Sequence, residues 1–510
     1  MLHIPPIFIY PPAVSVIMSE KPGLSVKKSE NFSEWYQQLC LEQGAHLADQ
    51  RYGVQGFVVL RPYSYRILRK VYELFEHAVE EDGHEPMLFP SVIPEENLQK
   101  EKEHAGFIPE VFWVTEAGAQ KMERKVALRP TGETAIYPMY SLWVRSYKDL
   151  PFKRYQSRIT VFRNEMTTRP FLRGREFSFF ETHDAFHTHE GALLQIKTDL
   201  SIMQDIIQNK LMIPFYFFKR PKWDRFKGAD DTFVSDTLLP DGKRLQISST
   251  HDLGTRFAEA YTIKVKDVDG GEKYVYQTCF GPGVFRIIAS LIAIHGDDTG
   301  LVLPSLVAPL KIVIVPIVFT DKPEKNKLIE AYCKKIMNTL KELGYPVKYD
   351  DGEQSPGYKF NQWEMLGVPV RLEVGPKEVE SNTVTLVRRT AKQKQKIALS
   401  KLNEEIKHHL QIVDEEIKTK AEEYFKDNTK DTTSFDDLID GMESYRGFIK
   451  VPFCSIDFQG GKCAEEIKTK AAGAIVCGTR YPEEDKLSRG AKCIVCKKPA
   501  KHIVYTAKTY

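Results

Sequence analysis

The chain has 510 residues, more than one hydrophobic core organises, and at about 100–200 residues per domain it predicts roughly three domains. Hydrophobic residues make up 42% and charged residues 28%, which excludes collagen-like and wholly disordered chains, and no run of about 18 apolar residues is present to cross a membrane. Lys and Arg total 72 against 69 Asp and Glu; a net charge of +3 neither demands nor excludes nucleic acid, because a basic face can sit within a neutral total.

Residues 1–29 read as a leader expected to be disordered, with Met18 as an alternative start. The segment before Met18 is apolar but carries Pro5, Pro6, Pro11 and Pro12 and no Lys or Arg, so it is not a secretory signal. We therefore place the protein in the cytoplasm. Residues 61–82 repeat apolar side chains at helical spacing (Ile67, Leu68, Val71, Leu74, Phe75, Ala78, Val79) and stop at Gly83. Strands are predicted over 86–90, 111–115, 126–128, 155–164, 176–187 and 273–280, with helices over 132–145, 190–210, 252–261 and 284–294. Antiparallel strands flanked by helices make an α+β domain, assigned to residues 30–309.

Beyond it the texture changes. Strands at 311–319, 346–349, 370–373 and 384–389 alternate with helices at 324–343 and 358–366, the pattern of a small α/β sheet domain over residues 310–397. Residues 391–396 read as a polar break, and a long helix at 403–426 opens a C-terminal region, 398–510. Five of the eight cysteines, Cys454, Cys463, Cys477, Cys493 and Cys496, fall in that region, which suits a local metal site in a reducing compartment better than a disulfide framework.

Three segments of the first domain carry chemistry. In Phe162-Arg163-Asn164-Glu165, Arg163 and Glu165 stand two apart on a strand and share a face, pairing a cation for phosphate with an acceptor for an exocyclic amine. A loop from Met166 to Gly174 with further arginines follows, then Arg175-Glu176-Phe177-Ser178-Phe179, whose rings can cover a flat base. Gly281-Pro282-Gly283-Val284-Phe285-Arg286 opens a helix, where glycines admit close backbone approach and Arg286 can grip a phosphate two-pronged. Phe89-Pro90-Ser91-Val92-Ile93-Pro94 is a proline-stiffened strand of the kind found at edges and interfaces. His183, His187 and His189 have the look of a metal cluster, but their position in the hairpin favours pocket or structural roles.

In this order the three segments resemble the signature motifs of class II aminoacyl-tRNA synthetases. Leu128-Arg129-Pro130-Thr131-Gly132-Glu133-Thr134, the run from Pro170 to Phe177, and His295-Gly296-Asp297-Asp298-Thr299-Gly300 are similar to prolyl-tRNA synthetases of archaeal and eukaryotic type. The resemblance implies ATP-dependent activation of L-proline and its transfer to the 3′ end of tRNA(Pro), with Mg²⁺ accompanying ATP and a homodimer joined at the proline-bearing strand. It implies that Arg163 and Arg286 are catalytic, and that Glu165, Arg173, Gly174, Phe177, Gln246 and Ser249 join them on ATP. Thr131, Glu133, Arg163, Phe179, Glu181, His183 and His251 would bind proline. The chain departs from the usual pattern at Phe179-Phe180-Glu181-Thr182-His183, Ser249-Thr250-His251 and the spacing of the Arg286 motif. A pocket for a small apolar ring discriminates by only about 1–3 kcal/mol, so side activation of cysteine or alanine is expected.

The second domain resembles the anticodon-binding domain of the same subclass, implying tRNA contacts at Lys359, Arg371 and Arg388, and no membrane partner. Cys493 and Cys496 form a zinc knuckle that needs a second pair. By resemblance Cys454 and Cys463 complete a structural Zn²⁺ site, with Cys477 as the alternate ligand. Two other readings are a silent paralogue that binds tRNA or an amino acid, and a ligase charging a different carrier. Both Arg163 and Arg286 being present argues against the first, and the anticodon-like domain against the second.

Overall fold

The computed structural model describes residues 23–105, 110–319, 322–391, 393–444 and 447–510, so most of the predicted leader (1–22) lies outside the described residues. Seven strands of the first domain lie in one sheet: β1 (Glu85–Pro86), β2 (Phe152–Phe162), β3 (Glu176–Phe186), β4 (Tyr216–Lys219), β5 (Asp231–Leu238), β6 (Arg244–Gly254) and β7 (Tyr276–Pro282). Their order is β4-β5-β6-β7-β3-β2-β1, antiparallel except for the short β1–β2 pair. Alternation along β3 sends Phe180 and Thr182 to one face and Phe179, Glu181 and His183 to the other.

The Phe180 face is covered by the helices Pro62–Glu81 and Val284–Ser290, which pack Phe75, Phe180, Phe280, Val284 and Ile288 into the largest core. The opposite face carries the helices Glu133–Trp143 and Arg256–Tyr261, whose Tyr137, Tyr140 and Phe257 form a second core with Leu253 and Cys279. That second helix is shorter than expected, because residues 252–254 still belong to β6. Part of the predicted leader is packed rather than loose: the Ser25 N–H donates to Gln38 Oε1 (2.9 Å), and Lys28 Nζ donates to the carbonyls of Ile294 (3.0 Å) and Gly296 (2.6 Å).

The middle domain is a five-stranded sheet of β8 (Ile312–Pro316), β9 (Val347–Tyr349), β10 (Val370–Val374), β11 (Thr383–Arg388) and β12 (Lys394–Ala398), in the order β9-β8-β10-β11-β12. β8 is parallel to both neighbours, as βαβ crossovers require, while β11 and β12 run antiparallel. The expected polar break at 391–396 thus contains the start of an edge strand. The long helix Leu402–Asp427 gives Leu402, Ile406 and Leu410 to this domain's core, so a boundary at 397 cuts through β12 and separates that helix from its packing partners.

The C-terminal strands β13 (Thr429–Asp431), β14 (Phe448–Phe453), β15 (Ile475–Arg480) and β16 (His502–Ala507) extend the first sheet. β15 pairs with β4 (Thr479 opposite Lys219, Arg480 opposite Phe218), so eleven strands run without a break from the cysteine-rich end to β1. Phe218, Phe448, Cys477 and Tyr505 seal the seam.

Candidate active site

Register puts a row of polar side chains on one face of the catalytic sheet. Thr232 stands opposite His251, His251 opposite Cys279, and Cys279 opposite His183. Directly opposed residues point to the same side, so one polar row crosses β5, β6, β7 and β3, with side-chain contacts at its Thr232–His251 and Cys279–His183 steps. His251 Nδ1 lies 3.0 Å from Thr232 Oγ1, and burial together with nearby His183 pushes its pKa down to about 3, leaving a neutral ring. His183 has the opposite fate. Burial works against its charge, yet its pKa is raised well above the ordinary value by Cys279 and Glu181, the latter with Oε2 at 3.0 Å from Nε2. Of these two neighbours Glu181 supplies the negative charge, because burial pushes the Cys279 thiol up to about 12.

Above this row sits the start of the Glu133–Trp143 helix. Thr131 Oγ1 donates to Glu133 Oε2 in a short hydrogen bond, and Tyr137, one turn on, places its hydroxyl 2.9 Å from His183 Nδ1. Burial first, and Glu181 second, raise the Glu133 carboxyl. Glu181 is fixed from the other side by Gln156 Nε2 at 2.6 Å. A Cβ on Gly132 would come within 2.1 Å of Glu181 Oε1, so any larger residue would have to displace that carboxylate. The result is a small buried chamber in which two carboxyl groups and a hydroxyl offer the acceptors that a protonated secondary amine requires, beside the His183 imidazole.

Next to it is a cavity of about 170 Å³, lined by Arg163, Glu165, Arg173, Gly174, Phe177, Phe179, Gln246, Ser249 and Arg286 among others. Every residue predicted to meet the nucleotide therefore faces one space, and Phe179 adjoins both chambers. The hairpin is closed by Arg163 N–H donating to Arg175 O (2.9 Å), and Arg175 Nε donates to Glu165 O (2.9 Å). Arg163 lies 5.9 Å from the centre of the Phe177 ring, and Phe177 meets Phe179 edge to face. Arg286 donates to Gln246 O at 3.1 Å. Burial, then Arg163, Arg173 and Arg244, lower its pKa to about 10. Several cations crowding one desolvated cleft make a site preorganised for polyphosphate. A larger cleft of about 880 Å³ opens between the first and middle domains, but Glu73, Glu81 and Asp205 interrupt its Arg66, Arg69 and Lys70 wall.

Three family models match this chain in sequence: "tRNA synthetase class II core domain (G, H, P, S and T)" over residues 112–295, "Anticodon binding domain" over 311–409, and "Prolyl-tRNA synthetase, C-terminal" over 435–510. The proline–tRNA ligase of Thermofilum pendens is 51% identical over 495 residues, 97% of this chain and 100% of that one. The chain belongs to the prolyl-tRNA synthetases. A second relative, the proline–tRNA ligase of Pyrococcus abyssi, is 41% identical, covering 94% of this chain and 98% of its own. Among solved structures, the Giardia lamblia prolyl-tRNA synthetase in complex with prolyl-adenylate superposes with a TM-score of 0.91 at 35% identity, covering 96% and 100% of the two chains. The Cryptosporidium parvum prolyl-tRNA synthetase complexed with halofuginone and AMPPNP gives 0.88 at 30%, covering 96% and 97%. The synthetase is accordingly an ATP-dependent ligase with a class II core.

In the synthetase's C-terminal region, Cys454, Cys463, Cys493 and Cys496 bring their sulfurs within 4.8 Å of one another, with Cys454 and Cys463 at 3.8 Å. Cys477, the alternate ligand, is not in that group; it is buried with its thiol against Ile475 O, in the seam core. The histidine run is likewise dispersed: His187 meets Asp267 at 2.9 Å, His189 meets Asp252 at 2.8 Å, and only His183 reaches the chamber. In the middle domain, the expected tRNA contacts are engaged internally. Lys359 is 2% exposed and donates to Asp350 O (2.9 Å), while Arg371 is held by Glu364 (2.9 Å) and Glu373 (3.1 Å). Arg388 meets Glu416 and lies 3.1 Å from His409 Nδ1. Lys359 lies on the helix Pro356–Met365, Arg371 within β10 and Arg388 at the end of β11, and each turns inward toward an acidic partner.

Three groups were given no role from the sequence: Arg220, Tyr510 and Tyr137. Arg220, buried at the end of β4, donates to Gln246 Oε1 (3.0 Å), to Asp236 (3.2 Å) and to Cys477 O (2.6 Å), tying the nucleotide end of the cleft to the C-terminal seam. Tyr510 accepts from Arg173 at its main-chain oxygen (2.9 Å) and from Arg169 at its hydroxyl, and Lys243 lies over its ring. Nothing local marks Arg220, whereas Tyr137 was readable as one turn beyond Glu133.

Proposed function

We propose that this synthetase forms prolyl-adenylate in the paired chambers and passes proline to the 3′ end of tRNA(Pro). The observation that carries the residue roles is the convergence of Arg163 and Arg286 on one cavity, beside a buried chamber holding Thr131, Glu133, Glu181 and His183. Proline's secondary ammonium donates to Thr131 and Glu133, and the ring lies between Phe179 and His251. Arg163 holds the proline carboxylate against the α-phosphate, so that attack replaces a bimolecular encounter with an oriented one. Charge then grows on phosphate oxygens, which Arg163 and Arg286 neutralise without reorganisation. Adenine stacks on Phe177 and meets Glu165 and the backbone of Arg173–Gly174, with Gln246 and Ser249 on the nucleotide's other side. Mg²⁺ bound with the polyphosphate would offset further negative charge. A pocket for a small apolar ring separates similar side chains by only about 1–3 kcal/mol, which supports side activation of cysteine and alanine.

Assembly belongs to the same reading. Leu88, Val92, Leu142 and Trp143 leave apolar surface exposed around Phe89–Pro94, supporting a homodimer joined there. The four clustered cysteines fit a structural Zn²⁺: with four thiolates the donor set is complete, which leaves no open position for catalysis, and it persists in a reducing compartment such as the cytoplasm. The division into segments 30–309, 310–397 and 398–510, with the middle one meeting the anticodon, is retained with the packing corrections above. Lys359, Arg371 and Arg388 then shape that surface from within.

The test is ATP–pyrophosphate exchange with proline, cysteine, alanine, threonine and histidine in parallel. Exchange driven chiefly by proline, weaker with cysteine and alanine, and lost in Arg163→Ala is expected. Exchange that survives Arg163→Ala overturns the role of that residue, and a proline-only result removes the side activation.

A further inference from the structure

Cys279 has no part in the amino-acid chemistry set out above, yet it sits at the centre of the polar row. Its Sγ is 3.9 Å from His183 Nε2, and the ligand atoms of Glu133, His183 and Cys279 all lie within 4.8 Å of one another. All three side chains are buried, at 3%, 1% and 5% exposure. They come from three separate elements, the Glu133–Trp143 helix, β3 and β7, so no local turn accounts for their meeting.

We infer that the proline chamber is also a binding site for a thiophilic divalent cation, with Zn²⁺ as the defining ligand, held by Glu133, His183 Nε2 and Cys279 and exclusive with proline. The inference rests on the assignment of this chamber to proline. Metal–ligand lengths of about 2.3 Å to sulfur and 2.1 Å to nitrogen give a tetrahedral S···N edge of about 3.6 Å, close to the 3.9 Å observed. A small rotation of either side chain closes the difference. Charge also balances: one thiolate and one carboxylate cancel the dication, so a neutral unit is buried rather than a bare ion.

The surrounding contacts suit a metal ligand. His183 Nδ1 lies 2.9 Å from the Tyr137 hydroxyl, so the ring can donate there while Nε2 turns its lone pair to the ion. Glu181 would give up its contact with Nε2, but keeps its anchor on Gln156 Nε2 at 2.6 Å. Binding forms Zn–S, Zn–N and Zn–O bonds and releases to solvent the Cys279 thiol proton, the His183 Nε2 proton that faces Glu181 and the proton of the Glu133 carboxyl, with no change in oxidation state. Because a secondary ammonium and a metal cation both require the Glu133 carboxylate, occupancy by one excludes the other.

The full-length chain, stripped with chelator and desalted, is dialysed against buffered Zn²⁺ with and without saturating L-proline. Two equivalents per chain are expected, one held by the Cys454 cluster and one released by proline, and free Zn²⁺ should raise the KM for proline in exchange assays without lowering kcat. Cys279→Ser should weaken the second equivalent at least tenfold. Should that variant fail to fold, Co²⁺ with the unaltered chain gives the same answer, since its thiolate charge-transfer absorption should fall when proline is added. A second zinc that proline leaves in place, with calorimetric proline binding intact, overturns this inference alone. Failure of the metal-free chain to bind proline overturns the chamber assignment as well.

Discussion

Arg389 of the middle domain closes on Asp297 of the catalytic domain with both terminal nitrogens, Nη1 to Oδ2 at 2.8 Å and Nη2 to Oδ1 at 2.6 Å. Its Nε donates to the carbonyls of Leu301 and Glu364, both at 3.0 Å. Asp297 follows directly on the helical run that begins at Val284 and carries Arg286, so a planar, always-charged clamp joins the second domain to the end of the phosphate-binding element.

The first prediction concerns this clamp. Arg389→Ala should cost about 2–3 kcal/mol of stability at pH 7, below the ~3–5 for a fully buried pair because the Asp297 side chain remains 34% exposed. Burial works against the Asp297 carboxylate, but Arg389 outweighs it and holds its pKa below the ordinary value. That contribution is present above the unfolded carboxyl pKa and is lost as pH falls through the folded one. Urea midpoints of the two proteins should therefore converge in acid, and a gap independent of pH would contradict the assignment.

The motifs around Arg163 and Arg286 were legible because each is a short run whose spacing fixes a face or a turn. Other strands were not. In β5, Thr232, Ser235, Asp236 and Thr237 are all buried, so the apolar–polar alternation of a one-sided strand never appears. β12 was hidden for the opposite reason: Lys394, Gln395 and Lys396 are exposed on an edge strand, where charge blunts unwanted pairing and reads as a loop. The chamber residues were legible only through the resemblance. Cys279 gave no signal at all, since its role depends on a register across β7 and β3 that no local pattern encodes.

Arg220 provides the second prediction. It reaches Gln246 from β4 without facing the nucleotide cavity, and Asp236 keeps a second partner in Arg244 at 2.9 Å. Arg220→Gln therefore leaves no unpaired carboxylate behind, and its main effect should be a loosened Gln246. The KM for ATP is expected to rise about tenfold, below the roughly 10²-fold cost of a 1 Å misplacement, with the KM for proline unchanged. Equal rises in both constants would mark a general loss of structure instead.

The third prediction is metal removal at the C-terminal cluster. Without metal, burial and neighbouring sulfurs raise the Cys454 thiol to about 11 and raise Cys463 as well. Zinc must displace those protons, so its affinity should fall as pH drops, and binding should release protons measurable in weakly buffered calorimetry. Chelation or Cys493→Ser should loosen the region around β14 and the Cys493–Lys498 turn first. Hydrogen exchange should report this as lost protection of the Cys493 N–H, which donates to Lys498 O at 2.7 Å. Unchanged exchange after verified zinc loss would mean that this core folds without the metal.

The fourth prediction turns on Asp199, fully buried behind β3. Its Oδ1 accepts from Gln195 Nε2 at 2.9 Å, while Oδ2 has no hydrogen-bond partner. Burial, with Asp184 and then Asp82 adding like charge, raises its pKa well above the ordinary value, although Gln195 and Lys153 act the other way. The folded state thus binds a proton that the unfolded chain has released above about pH 4. Stability from this group is complete below that pH and is lost as pH rises toward the folded pKa. Asp199→Asn keeps the shape and removes the ionisation, so the variant should gain on the parent steadily as pH rises from the unfolded carboxyl pKa toward the folded one, by about 1.4 kcal/mol for each unit of raised pKa crossed. Denaturant midpoints taken across that range decide the matter: parallel curves would show that Asp199 is ionised in the fold and that its charge is met by a partner other than Gln195.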